Sequence, residues 1–192
     1  MAFCRFVFIL AVALLGVLSP AAAQIVYSPV NVSIPVGGSY YLDVNRDGVT
    51  DFTVRSQLLQ DYCQFGDGYA WNLSITPGAG DSVVVTTDGY VAALPAGARI
   101  DSSRNFSPDA ELLTGLAWGL CGTGISGPWL NLPNRYVGLQ LRLRGANDIH
   151  YGWAKLSDAG YIDHDGHLHA STFLQGFAYQ TAPDVAIMAG AH

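Results

Sequence analysis

From Val137 to Leu143 the chain alternates strictly: Val137, Leu139, Leu141 and Leu143 are apolar, while Gly138, Gln140 and Arg142 stand between them. Successive side chains of a strand point to opposite faces, so this spacing predicts a strand over residues 135–144 with one buried and one wet face. The same period-two pattern, cut by Gly, Pro, Asn and Asp, recurs along the chain. It predicts further strands over residues 39–44, 51–56, 69–75, 81–87, 90–94, 149–156 and 167–179. Thr87-Asp88-Gly89 and Asp163-His164-Asp165-Gly166 have the composition of tight turns, and Gly176 suggests a bend in the last strand. One stretch, residues 107–120, is a helix candidate. Ser107 can cap it, Pro108 suits its first position and Asp109 and Glu111 suit its positive end, although Gly115 and Gly119 weaken it.

Beyond residue 23 there is a single Lys, Lys155, and a single Glu, Glu111. The charged surfaces that helices usually present are therefore lacking. The expected fold class is all-β, an antiparallel β-sandwich or jelly roll, with at most one or two short helices apart from the signal segment.

The first residues have the pattern of a secretory signal. Arg5 gives a positive start, residues 6–18 are apolar, and Ala21-Ala22-Ala23 supply the small residues a signal peptidase needs. Residues 1–23 are expected to be removed, which leaves residues 24–192 as one β-rich domain. No second long apolar run follows, so the processed chain is expected to be secreted or extracytoplasmic, without a transmembrane anchor. The formal net charge is −6. An acidic balance argues against nucleic acid and anionic membranes as partners. Cys4 leaves with the signal. Cys63 and Cys121 remain, an even pair in an oxidising compartment, and a disulfide between them is expected rather than two buried thiols.

The strongest chemical motif is Asp43-Val44-Asn45-Arg46-Asp47-Gly48-Val49-Thr50-Asp51. Oxygen ligands recur at positions 1, 3, 5 and 9, with Gly at position 6 and the Val49 carbonyl at position 7. This matches the first nine positions of a calcium loop, because calcium is a hard cation that takes six to eight oxygens. Position 12 is Val54 rather than Glu, so the loop is not an EF-hand. It resembles the loops of dockerin-like, thrombospondin type 3 and FG-GAP repeats. The plain alternative is an Asx-rich hairpin turn. Asp163 and Asp165 form a shorter echo, a turn or an accessory metal ligand pair. His167 and His169 share a strand face and could hold zinc with His164 or His150, but no spacing specifies a third ligand.

Gly122-Thr123-Gly124-Ile125-Ser126-Gly127 fits G-x-G-x-x-G, but Pro128 and Trp129 follow where a helix should run, which excludes a dinucleotide site. Tyr69, Trp71, Trp118, Trp129 and Trp153 are large aromatics. Among them Trp71, Trp118 and Trp129 are the candidate glycan contacts, weighed against an ordinary place in the core.

The order of several short motifs is also informative. Leu94-Pro95-Ala96-Gly97-Ala98-Arg99-Ile100 precedes Tyr136-Val137-Gly138-Leu139 and then His150-Tyr151-Gly152-Trp153-Ala154-Lys155-Leu156. Phe177-Ala178-Tyr179-Gln180-Thr181-Ala182-Pro183 and Ile187-Met188-Ala189-Gly190 follow. Across residues 39–190 this resembles the body domain of uncharacterised secreted bacterial proteins, many of which end in a PEP-CTERM sorting tail. The resemblance implies an extracytoplasmic β domain and carries no catalytic residues. The sequence up to His192 shows no Pro-Glu-Pro motif, so sorting is not implied. The expected function is an exported calcium-binding domain with a structural or adhesive role and no catalysis; its partner is left open, with an extracellular glycan or a cell-surface protein as the options. The alternatives are a carbohydrate-binding module and, third, a secreted glycan hydrolase with a carboxylate pair drawn from Glu111 and Asp.

Overall fold

The structure, a computed structural model, describes residues 23–63, 65–120, 122–143 and 148–192, except the side chains of residues 61–63. Its strands in chain order are β1 (Ile25–Ile34), β2 (Ser39–Leu42), β3 (Phe52–Cys63), β4 (Gly66–Pro77), β5 (Ser82–Val84), β6 (Arg99–Ile100) and β7 (Phe106–Ser107). They continue as β8 (Glu111–Gly119), β9 (Gly124–Ser126), β10 (Arg135–Arg142), β11 (Ile149–Ile162), β12 (Leu168–Gln180) and β13 (Ile187–Met188).

The alternating segment becomes β10, paired antiparallel with β11 from Arg135 opposite Leu156 to Arg142 opposite Ile149. One sheet runs β1-β12-β11-β10-β5-β7 and a second runs β2-β3-β4-β8-β9, with every pairing antiparallel. The chain is an all-β sandwich. Between the sheets lies one apolar cluster. Leu42, Phe52, Val54, Trp71 and Ile75 come from the five-stranded sheet, and Val83, Val137, Leu139, Leu156 and Leu174 come from the six-stranded sheet. Fully burying a side chain of this kind contributes roughly 1.5–3 kcal/mol.

The expectation of a wet outer face on β10 is corrected by the structure. Tyr136 and Gly138 on that face are buried. A second cluster of Leu94, Ile100, Tyr136, Trp153, Ile187 and Ala189 covers it, held by the two-stranded β6–β13 ladder. Gly138 is required there, since a Cβ would sit 2.5 Å from Val84 Cγ2.

The helix expected over residues 107–120 is also corrected: the segment forms β7 and β8. The Ser107 hydroxyl accepts from the Asp109 amide and donates to Glu111 Oε1, so the capping chemistry is used in the turn between two strands. The strand β8 is itself irregular. The β4–β8 register shifts between Leu73/Thr114 and Ser74/Leu112, a bulge at Leu113. An extra residue in a strand breaks the period of two. Leu113 and Leu116, three apart, are both buried as a result. The strand expected over residues 90–94 is reduced to the isolated bridges Val85–Val91 and Leu94–Tyr136. The bend expected at Gly176 is present as a register shift, where Lys155 pairs with Gly176 and Leu156 with Leu174.

A carboxylate is also buried in the interior. Asp158 of β11 is buried, and its Oδ1 accepts from Thr172 Oγ1 at 3.1 Å. Asp158 Oδ2 and Thr114 Oγ1 of β8 are both buried without a hydrogen bond of proper geometry. Burial pushes the Asp158 carboxyl up to about 6, offset in part by the nearby Thr114 and Thr172 hydroxyls. Between roughly pH 4 and 6 the folded chain keeps this proton and the unfolded chain has lost it, so stability falls as pH rises through that window. Above it the full cost, about 2–3 kcal/mol, is present. Asp158→Asn retains an acceptor for Thr172 and carries no charge. Urea unfolding should find the variant more stable than the parent chain by about 2 kcal/mol near pH ~7.5 and little different near pH ~4.5. A difference independent of pH would contradict this assignment.

Candidate functional site

The Asp/Asn/Gly loop joins β2 to β3. Val44 is buried in the core and fixes the start of the loop. The Asp51 amide, at its end, donates to the Leu42 carbonyl at 2.8 Å. Between these points the side-chain oxygens turn in on the loop's own amides. Asp43 Oδ1 accepts from Asp47 N and Asp43 Oδ2 from Gly48 N. Asn45 Oδ1 accepts from Asp47 N at 2.9 Å, and Asp47 Oδ1 from Val49 N at 2.9 Å. Asp51 Oδ2 accepts from Val44 N at 2.6 Å. The turn requires positive φ at Gly48, 84°, and Arg46 also adopts 61°. The Arg46 guanidinium donates to Ser28 of β1 at 2.9 Å, tying the loop to the other sheet.

Asp51 is buried, and this desolvation raises its pKa; the Val44 and Asn45 amides lower it, and the charges of Asp43 and Asp47 add to the rise. A further carboxylate, which the sequence reading took only as the start of a strand, meets this end of the loop. Asp81 follows the turn after β4, is buried, and accepts the Arg142 amide at 2.9 Å. Burial pushes its carboxyl up to about 6, with the Asp51 and Asp47 charges contributing and the Arg142 amide opposing. No local spacing links Asp81 to the loop, so no sequence motif could have included it.

Asp163 and Asp165 lie elsewhere. Arg142 faces Ile149 at one end of β11, and Asp163 follows Ile162 at the other. At about 3.3 Å per residue that strand separates them by roughly 40 Å. The accessory pair therefore cannot share an ion with the loop. It forms its own group instead. Asp163, Asp165 and His167 place ligand atoms within 4.8 Å of one another, the one such trio among the described residues; the loop's own carboxylates are not drawn together that closely. His169 Nε2 lies 3.0 Å from Asp163 Oδ2 and stacks on Tyr161 with centroids 4.7 Å apart. The His169 contact, followed by the His167 amide, lowers the Asp163 carboxyl to about 2. His150 does not join them; it is buried, with Nδ1 3.0 Å from the Gln180 carbonyl.

Two of the three candidate glycan contacts are corrected. Trp71 and Trp129 are fully buried, their indole N–H groups donating to Ser56 Oγ and the Val91 carbonyl, so neither can face a ligand. Trp118 is 8% exposed and stacks on Tyr69, 37% exposed, with centroids 5.8 Å apart. This pair lines a groove of about 560 Å³ at the open end of the sandwich, together with Val36, Leu58, Asp165 and His167. The G-x-G-x-x-G stretch contains the edge strand β9. The expected disulfide lies outside the described residues, which exclude Cys121 and the Cys63 side chain.

Compared with protein-family models, with curated proteins and with solved structures, the chain matches none.

Proposed function

We propose that the chain is an exported calcium-binding β-sandwich domain with a structural or adhesive extracellular role and no catalysis. One observation carries this reading. A loop rich in hard oxygen donors is wound on its own amides and ends on a buried carboxylate, Asp51, with no cationic side chain within 4.0 Å among the described residues. A buried charge is costly unless it is paired or bound to a metal.

The donors suit calcium, which binds oxygen and tolerates irregular shells. Asp43, Asn45, Asp47 and Asp51 would supply side-chain oxygens and Val49 its carbonyl. Bound calcium would supply positive charge against which these carboxylates no longer repel. The protein's own part is to fix the loop between β2 and β3, so that binding holds this hairpin in its sheet. Export is supported by the signal-like first residues. The resemblance to secreted PEP-CTERM body domains agrees with it. A Cys63–Cys121 bond fits the same compartment. Cys63 pairs through its backbone with Gly66, over which the Leu120 side chain lies.

A second reading, a carbohydrate-binding module, is favoured by the Tyr69–Trp118 groove alone. An aromatic face can stack on a sugar ring while Asp165 and His167 bind its hydroxyls.

Affinity near 10⁻⁴ to 10⁻³ M is expected for an extracellular calcium module, so ~10 mM calcium approaches saturation. Because the ion binds the folded chain, a hundredfold excess over Kd should add about 2.7 kcal/mol and raise Tm by roughly 5–10 °C. Asp47 is exposed, so Asp47→Ala leaves the core intact and should abolish most of that rise in calorimetric melts. An unchanged calcium response in the variant would reduce the loop to a turn. For the second reading, a glycan array should show a bound sugar class with the parent chain and none with Tyr69→Ala. Equal signals from both would remove the groove from consideration.

A further inference from the structure

Three of the chain's five histidines, His164, His167 and His169, fall in one short stretch beside Asp163 and Asp165. The fold holds this stretch on a closed frame. β11 and β12 stay paired to their ends, with Tyr161 opposite His169 and Ile162 opposite Leu168. The Asp163 amide donates to the His167 carbonyl at 3.0 Å, and the Gly166 amide donates to the Asp163 carbonyl at 3.1 Å. Gly166 takes the positive φ, 83°, that this reversal needs. A tight hairpin, rather than a loose loop, therefore brings the side chains together.

Asp163, Asp165 and His167 each bring one ligand atom within 4.8 Å of the other two. The set is mixed, one imidazole nitrogen with two carboxylate oxygens. Calcium takes oxygen ligands, whereas imidazole with carboxylate suits zinc and its transition-metal neighbours. Asp163 is already oriented. Its Oδ1 accepts the Asp165 and His167 amides at 3.0 and 2.9 Å, and its Oδ2 lies 3.0 Å from His169 Nε2. A carboxylate has about four lone-pair sites, so Oδ2 keeps one for an ion. His169 is fixed in turn by its stack on Tyr161, with ring planes 9° apart. Metal sites use such support, in which a neighbouring group holds a ligating carboxylate in place. The exposed His164 ring lies 3.1 Å from Asp165 Oδ1, so a third imidazole borders the set. A separate feature also points to a ligand here. Asp165 and His167 line the 560 Å³ groove, whose other side chains are the aromatic and aliphatic groups of Val36, Leu58, Tyr69, Trp118 and Leu168. An apolar groove with a few convergent polar groups is the usual form of a binding site.

We propose that the tip of the β11–β12 hairpin binds a divalent transition-metal ion of the zinc class, with Asp163, Asp165 and His167 as its ligands and His169 as the residue that positions Asp163. The site is separate from the loop at residues 43–51 and does not rest on the calcium reading. Three protein ligands leave the fourth position of a zinc ion to water or to a donor group of a molecule in the groove. The ion would give that groove its polar anchor.

The test is calorimetric titration of the intact chain with zinc alone, for the parent, His167→Ala, Asp165→Asn, His169→Phe and Asp47→Ala. All four replaced residues are exposed, so the variants keep the core, and matching melts in a chelator check this. The parent and Asp47→Ala should bind a single ion with equal affinity. His167→Ala and Asp165→Asn should weaken binding by about tenfold or more, and so should His169→Phe, which keeps the stack on Tyr161 but loses the nitrogen at Asp163. Parent-like affinity in Asp165→Asn, where every imidazole is intact, reduces the uptake to an adventitious ion only, caught by surface imidazoles, and overturns the proposal. Parent-like affinity in His167→Ala places the ion elsewhere and also overturns it. Weakened zinc binding in Asp47→Ala assigns the ion to the loop at residues 43–51 and overturns it too, as does absence of zinc uptake by the parent chain.

Discussion

Asp51 holds three segments at once. Its amide closes the loop onto Leu42, its carboxylate takes the Val44 amide, and its carbonyl takes the amide of Gly78 in the turn after β4. These bonds require the carboxylate to be buried, and burial opposes its charge. The end of the sandwich that carries Asp51 and Asp81 therefore holds two carboxylates whose burial favours the protonated form. Protonation serves at low pH. Near neutral pH the Val44, Asn45 and Arg142 amides and the Arg142 charge oppose that cost in part, and the proposed calcium would oppose the rest.

The opposite end of the sandwich follows different physics. There the inner-face residues Leu58, Tyr69 and Trp118 emerge from between the sheets, and the β11–β12 hairpin tip with Asp165 and His167 overhangs them. Leu58 is 48% exposed although it pairs with the fully buried Trp71. The core runs out before the strands do, and an aromatic groove is left. The two ends are separate in position and in chemistry, so stabilisation by an ion at one and recognition at the other can coexist in the same fold.

The all-β class was legible because alternation and turn chemistry agree along most of the chain; the Asp88-Gly89 turn, the hairpin at residues 163–166 and the bend at Gly176 stand where composition puts them. The helix reading failed because the capping residues Ser107 and Glu111 serve the turn between β7 and β8, and a bulge at Leu113 hides the strand period. β1 was not anticipated: Pro29 sits within it, tolerated because β1 is an edge strand whose register shifts between Pro29 and Val32. The local part of the loop was legible because its donors lie within nine residues. The nearness of Asp81 was not, since only the fold brings it there; the burial of Trp71 likewise depends on which face of β4 meets the other sheet, and Trp129 is buried from the segment between β9 and β10.

Residue-resolved hydrogen exchange with and without calcium tests the central claim most directly, because it reads the loop and the turn together. The account predicts that millimolar calcium slows exchange at the amides of Val44, Gly48, Val49 and Gly78, which report on Asp51, Asp43 and Asp47, and leaves Gly166 in the distant hairpin unchanged. Equal exchange at those four amides in calcium and in chelator would contradict it.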